Sequence, residues 1–267
     1  MVPRGNELYY SDEKSGGEIK VKVKPGTKEY NEIWVPFLKD FSKHLKEKNW
    51  LEITRIAMDE RNPTEMKEML KLLSETAPGL GVALADNHKS YKLFPDKLKD
   101  LCVAHNAVVE GNDLAYRKAN NYVTTWYVCC ADLFPNTFTF SSPAESAFIG
   151  WYTMAAGFDG FLRWAYNSWV MEPHIDSRFR TWPAGDTYIV YPEARSSIRF
   201  ERLIEGIQDA EKIRILRKEF QNSTTDQAKE NLQLLNQTLN QFNIREKPDD
   251  LEGLISKGKL LLVDLSR

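Results

Sequence analysis

The sequence predicts an α/β protein: a (β/α)8-type barrel, incomplete at its N-terminus, with a C-terminal helical extension. Three observations carry this. Short apolar runs bounded by turn residues alternate with amphipathic helical patterns between residues 30 and 166. Those runs are almost continuously apolar, as strands covered on both faces of a parallel sheet are. Past residue 192 the pattern is helical only. The expected division is a partial barrel over 1–192 and a helical segment over 193–267 packing on it.

The elements follow in order. "YNEIWVPFLKDFSKHLKEKN" places Ile33, Trp34, Phe37, Leu38, Phe41 and Leu45 at helical spacing. "LEITRIAMD" (51–59) is short and β-branched, a strand. "NPTEMKEMLKLLSETAPG" puts Pro63 in a first helical turn and ends on Pro78-Gly79. "LGVALAD" (80–86) is a second strand, and a loop with a short helix leads to a third, "LCVAHNAVV" (101–109). A helix near Asn112 precedes the strand "YVTTWYVCC" (122–130). "SSPAESAFIGWYTMAAG" sets Ser142 before Pro143 and Gly157 after the last turn, the usual helix punctuation. "FDGFLRWAY" (158–166) is the fifth strand.

Five strand–helix units fall short of eight, and about 250 residues are typical of the full barrel. "VPRGNELYY" at the start reads as a strand running into its loop, so the chain is expected to begin inside a barrel. An open α/β sheet is the alternative. The tail predicts a long helix with Leu203, Ile207 and Leu216 on it. A second opens with a capping box of Thr224 and Gln227, and a third runs through "DDLEGLISKGKLLLVDLS".

Composition narrows the function classes. The 267 residues are 42% hydrophobic and 28% charged, with a formal net charge of −2 and no long basic block. Neither a nucleic-acid surface nor an anionic-membrane surface is indicated. No stretch reaches the roughly 20 apolar residues of a membrane helix. Cys102, Cys129 and Cys130 form no CxxC pair and read as buried reduced thiols, so no metal or redox centre is expected.

The strand at 51–59 ends on two adjacent acids, Asp59 and Glu60. Adjacent acids recur at Asp12-Glu13 and Asp249-Asp250, so adjacency alone means little. Position matters more, because barrel enzymes keep their active sites at the C-terminal strand ends. Neighbouring residues within a strand face opposite ways, but at its last residue the backbone is already turning, and both carboxylates can reach one pocket. The structural alternative is the acidic start of a helix.

A second cluster lies at 160–192, dense in Trp164, Tyr166, Trp169, Trp182, Tyr188 and Tyr191. Interleaved with these are Arg163, Asp176, Arg178, Arg180 and Asp186. Aromatic faces stack on sugar rings, and fixed carboxylates and guanidinia bond to sugar hydroxyls. Trp126 and Tyr127 point to a further wall of the same mouth. Asn6, Asn87, His105 and Asn106 also fall near predicted strand ends.

"GFDGFLRWAYNSW", "DSRFRTWPAGDTYIVYP" and "SSIRFERLIEGIQDAEKIRIL" strongly resemble the C-terminal part of the catalytic region of glycoside hydrolase family 123. "HLKEKNWLEITRIAMDER" resembles that family's catalytic strand, and the likeness covers nearly the whole chain. The resemblance implies a retaining exo-β-N-acetylgalactosaminidase on a (β/α)8 barrel, with a partner that is a glycan or glycoconjugate bearing terminal β-linked N-acetylgalactosamine. It implies no cofactor and no metal. It also implies substrate-assisted catalysis: Asp59 orients the substrate's 2-acetamido group, and Glu60 is the general acid and then the base. On the same ground Tyr127 is a candidate for the acetamido carbonyl and Trp164 for the ring platform. Tyr166, Asn167, Arg178 and Asp186 are candidates for the hydroxyls, with Trp126 and Trp182 lining the pocket. Family members usually carry an N-terminal β-sandwich and an export signal, so the parent protein is expected to be exported. Two rival readings stay open: a conventional two-carboxylate glycosidase with Asp176 or Asp186 as nucleophile, and a non-catalytic carbohydrate-binding fragment.

Overall fold

The computed structural model describes residues 6–106, 109–178 and 181–267. Two compact units divide between Thr124 and Thr125. The parallel strands follow one another in chain order in a five-stranded sheet.

The first unit opens on an antiparallel hairpin, β1 (Glu7–Ser11) and β2 (Glu18–Lys22), with Leu8 opposite Val21. Of the segment read as a strand running into its loop, Glu7–Ser11 lies in this hairpin and residues 1–5 lie outside the described residues. The tip is turned by Asp12, whose carboxylate accepts from Ser15 N at 3.1 Å. Helix α1 (Lys28–Glu47) follows, capped by Thr27, and buries Tyr30, Leu38, Ser42 and Leu45 on one stripe. Its expected apolar positions Ile33 and Phe37 are exposed.

A short 3-10 turn over Leu51–Ile53 precedes β3 (Arg55–Asp59), so the strand is shorter than its apolar run. Helix α2 (Pro63–Thr76) starts at Pro63, with the Asn62 side chain accepting from Glu65 N at 2.9 Å. It buries Met66, Met69, Leu70, Leu72 and Leu73. Strand β4 (Gly81–Asp86) pairs in parallel with β3, Asp59 lying opposite Ala85. The short helix α3 (Ser90–Leu93) leads to β5 (Asp100–Ala104), which pairs in parallel with β4. Part of the run expected as the third strand, 107–108, lies outside the described residues. Helix α4 (Gly111–Ala119) carries buried Arg117, whose guanidinium donates to Leu98 O, Val123 O and Thr124 Oγ1. A buried cation is tolerable only when its donors are used in this way.

Strand β6 (Val123–Val128) spans the junction of the units, and β7 (Gly160–Arg163) pairs with it in parallel. In the second unit, helix α5 (Pro143–Ala156) is buried nearly all round. Against it pack α6 (Ile198–Asn222), α7 (Asp226–Leu239) and α8 (Leu251–Asp264). Trp151 is fully buried, stacks on Phe242 at 4.6 Å and donates its indole N–H to Asp209 at 2.9 Å. Helices α5 and α6 approach so closely that a Cβ on Gly150 would lie 2.0 Å from Gly206 O. The helical tail thus shares a core with α5. Its caps are Ser197, Thr225 and Asp250. The expected box of Thr224 and Gln227 is shifted by one residue, Thr225 accepting from Ala228 N. Ser142 precedes α5 without a side-chain cap bond.

Candidate active site

In the first unit, Asp59 is the last residue of β3 and is exposed, while Glu60 is half-buried. Glu60 has φ +43°, the left-handed region that a residue with a side chain rarely enters. Its N–H donates to Ala85 O at 2.8 Å, closing the last parallel pair of the β3–β4 ladder, Asp59 opposite Ala85. The reversed backbone breaks the alternation that would send consecutive side chains to opposite faces. Strain of this kind costs about 1–3 kcal/mol and clusters at functional sites.

Arg61 follows at once, with its side chain only 6% exposed. Its Nη1 donates to Asn6 Oδ1 at 3.4 Å and lies 3.6 Å from Glu65 Oε2. Asn6 Nδ2 in turn donates to Glu65 Oε1 at 3.2 Å. The sequence reading noted Asn6 but missed Arg61 and Glu65. An arginine two residues past the strand end, four residues before a glutamate, was the available signal. Asn87 and Asn106 are exposed, and His105 is half-buried.

In the second unit, the segment after β7 folds back on itself. Ile189 N donates to Tyr166 O at 3.0 Å, Ser168 N to Thr187 O at 3.0 Å, and Asn167 bridges to Tyr188. Buried Arg199 donates to the carbonyls of Thr137, Gly185 and Tyr188 and locks the returning strand. The fold-back leaves Trp164, Tyr166, Asn167 and Trp169 exposed. Trp164 and Trp182 meet edge to face at 5.5 Å, and Tyr166 packs edge-on against Phe200. Exposed aromatic faces of this kind can stack on an apolar ring face.

Two predicted contacts are core residues instead. Trp126 is 1% exposed, donates its indole N–H to Thr153 Oγ1 at 2.8 Å and packs against Tyr152 and Phe161. Asp186 is 0% exposed and ion-paired to Arg163 at 2.7 Å, leaving no surface for a sugar hydroxyl or an anomeric carbon. Burial holds its carboxyl above the usual range although Arg163 pulls the other way. Burial likewise lowers Arg163 against the pull of Asp186. A desolvated pair of this type fixes geometry more than it stabilises.

Tyr127 is 7% exposed and lies beside Leu162 in the β6–β7 register. Strand alternation turns it away from the face that Trp126 packs against α5. Arg178 is exposed and holds Asp176 through two bonds of 2.8 and 2.7 Å, which bring the carboxyl down to about 2. Arg180 lies outside the described residues.

Cys102 is a buried thiol, Cys129 and Cys130 are half-buried thiols, none of the three is in a disulfide, and burial pushes the Cys129 thiol up to about 11. That argues against a thiolate nucleophile there. Among the described residues no group of three His, Cys, Asp or Glu is arranged to hold a metal ion. Among the same residues, no helix is long and apolar enough to cross a membrane.

Paired acids at a strand end in the first unit and exposed aromatics in the second are side chains of the kinds that glycoside chemistry uses. The comparisons agree: the family profile "Glycoside hydrolase 123, catalytic domain" matches residues 2–216. The chain belongs to glycoside hydrolase family 123. It is similar to the solved structure of a family 123 glycoside hydrolase from Clostridium perfringens, described for glycolipid glycan hydrolysis. The two share 27% identity with a TM-score of 0.82, over 99% of this chain and 49% of that one. This chain therefore spans about half the length of that relative. No curated relative matches.

Proposed function

We propose that the chain carries the catalytic acids of a retaining β-N-acetylgalactosaminidase that works through the substrate's own acetamido group. The observation that carries this reading is the Asp59-Glu60 pair at a strand end, with Glu60 held in a left-handed conformation. The five parallel strands are read as part of a (β/α)8-type barrel, in which that end is the catalytic one.

In the first step the acetamido oxygen attacks the anomeric carbon while the glycosidic C–O bond breaks. Glu60 gives its proton to the leaving oxygen. Asp59 accepts a hydrogen bond from the acetamido N–H and offsets the positive charge of the oxazolinium ring. In the second step water attacks the same carbon, Glu60 takes its proton, and the oxazolinium C–O bond opens. Two inversions give net retention without a protein nucleophile, one of the recognised exceptions to the two-carboxylate scheme.

Trp164 and Trp182 supply the ring platform, and Tyr166, Asn167 and Arg178 supply polar contacts. Tyr127 is the candidate for the acetamido carbonyl. Trp126 and Asp186 hold strand β6 and the loop after β7 in place through their bonds to Thr153 and Arg163. The substrate is a glycan or glycoconjugate ending in β-linked N-acetylgalactosamine, and the whole protein is exported.

Comparing an aryl β-N-acetylgalactosaminide with the aryl β-galactoside that lacks the acetamido group tests the mechanism. Hydrolysis of the first alone, with retention by NMR and inhibition by a thiazoline analogue, is expected. Turnover of the plain galactoside would sink it, and sugar binding without hydrolysis would point to a carbohydrate-binding fragment.

A further inference from the structure

We propose that Asn6, Arg61 and Glu65 are positioning residues that hold the Glu60 turn in its left-handed conformation; this rests on the reading of Glu60 as the acid/base. The three side chains close a triangle: Arg61 to Asn6 at 3.4 Å, Arg61 to Glu65 at 3.6 Å and Asn6 to Glu65 at 3.2 Å. Its corners come from three places: the residue preceding β1, the β3–α2 turn and the first turn of α2.

A buried guanidinium is costly unless its donors are matched, so Arg61 is confined to where Asn6 and Glu65 meet it. Confining Arg61 confines the residue bonded to it. The turn is also pinned on both sides, by Glu60 N–H to Ala85 O at 2.8 Å and by the Asn62 cap on Glu65 N at 2.9 Å. Asn6 is itself fixed. Its carbonyl accepts from Val23 N at 2.8 Å, and its φ of +55° suits asparagine better than most residues. Tyr30 of α1, 3% exposed, lies close enough to Arg61 and Glu65 to feel both charges. Left-handed backbone persists only where its surroundings over-determine it. This network is the over-determination, and it gives the hairpin a role in the chemistry.

The test uses Asn6→Gly, which keeps the positive φ but removes both side-chain bonds, together with Arg61→Gln and Arg61→Lys, beside a Glu60→Gln control. Amide exchange at Glu60 reads the turn directly, with Met58 inside β3 as the internal reference. Steady-state kinetics on the aryl β-N-acetylgalactosaminide read its consequence.

In Asn6→Gly, exchange at Glu60 is expected to quicken at least tenfold (on the order of the loss of one hydrogen bond) while Met58 is unchanged. The kcat falls by up to about 10²-fold with KM held, the cost of a misplaced catalytic group. Arg61→Lys is expected to recover part of the kcat that Arg61→Gln loses, because it keeps the charge facing Glu65 but not the guanidinium fork. Unchanged exchange at Glu60 in Asn6→Gly, or a raised KM at constant kcat, overturns the inference. If Glu60→Gln keeps its turnover, the catalytic reading fails on its own. The exchange at Glu60 still decides whether the network holds the turn.

Discussion

Glu60 N–H donates to Ala85 O at 2.8 Å although Glu60 lies one residue past β3 and at a φ of +43°. The bond closes the last parallel pair, Asp59 opposite Ala85, through a residue whose backbone turns away from the strand. Glycine reaches such a conformation without a steric penalty. Glu60→Gly is therefore expected to raise unfolding free energy by up to about 1 kcal/mol while abolishing turnover. Chemical denaturation with parallel assays checks this. A loss of stability would mean that the Glu60 side chain has a structural role.

The tryptophans separate into two kinds. Trp126→Phe removes the bond to Thr153 from the core of the second unit. It should cost about 1–3 kcal/mol in stability and leave sugar affinity unchanged. Trp164→Ala removes a side chain that is 46% exposed. It should weaken sugar binding roughly three- to tenfold, with stability within about 0.5 kcal/mol of wild type. Melting curves and tryptophan-fluorescence titrations distinguish the two.

The α5–α6 contact tolerates no added atom. In Gly206→Ala the new Cβ would meet Ala147 O at 2.5 Å, and in Gly150→Ala it would meet Gly206 O at 2.0 Å. Backbone cannot step aside as a flexible side chain can, so each variant should lose about 3 kcal/mol or more. A melting temperature at the wild-type value in either would show that the helices can part at little cost.

Asp176 reports on its own ion pair. Arg178 holds its carboxyl at about 2, down from 3.8. A depressed folded value means that the pair's contribution is present above pH 3.8 and is lost as pH falls through about 2. Following the Asp176 side-chain carbon by NMR should give a midpoint near 2 in the wild type, moving up toward 3.8 in Arg178→Gln. Asp176 is only half-buried and Arg178 is exposed, so the melting temperature should hardly respond.

Much of the fold was legible because periodicity and punctuation are local. Pro63, Pro78-Gly79 and Gly157 mark real helix ends, and the five apolar runs hold the five parallel strands. The hairpin was missed although "EIKVK" alternates strictly and Gly16-Gly17 precedes it; lysines masked the strand. The misplaced cap arose because Ser223, Thr224 and Thr225 are all hydroxyl residues, and only backbone geometry selects Thr225. In the candidate site the acid pair was readable from its position after an apolar run. Burial was not: Asp186 and Trp126 are the residue types a sugar site uses, and only tertiary packing turns them into an ion pair and a core ring. The Asn6–Arg61–Glu65 triangle joins residues 55 and 59 positions apart, a separation that no local pattern encodes.

The most direct test of the central claim is chromophore release from an aryl β-N-acetylgalactosaminide by this chain, by Glu60→Gln and by Asp59→Asn. The account predicts release by the wild type and a fall of about 10²–10⁴-fold in each variant. Undiminished release by either variant would contradict it.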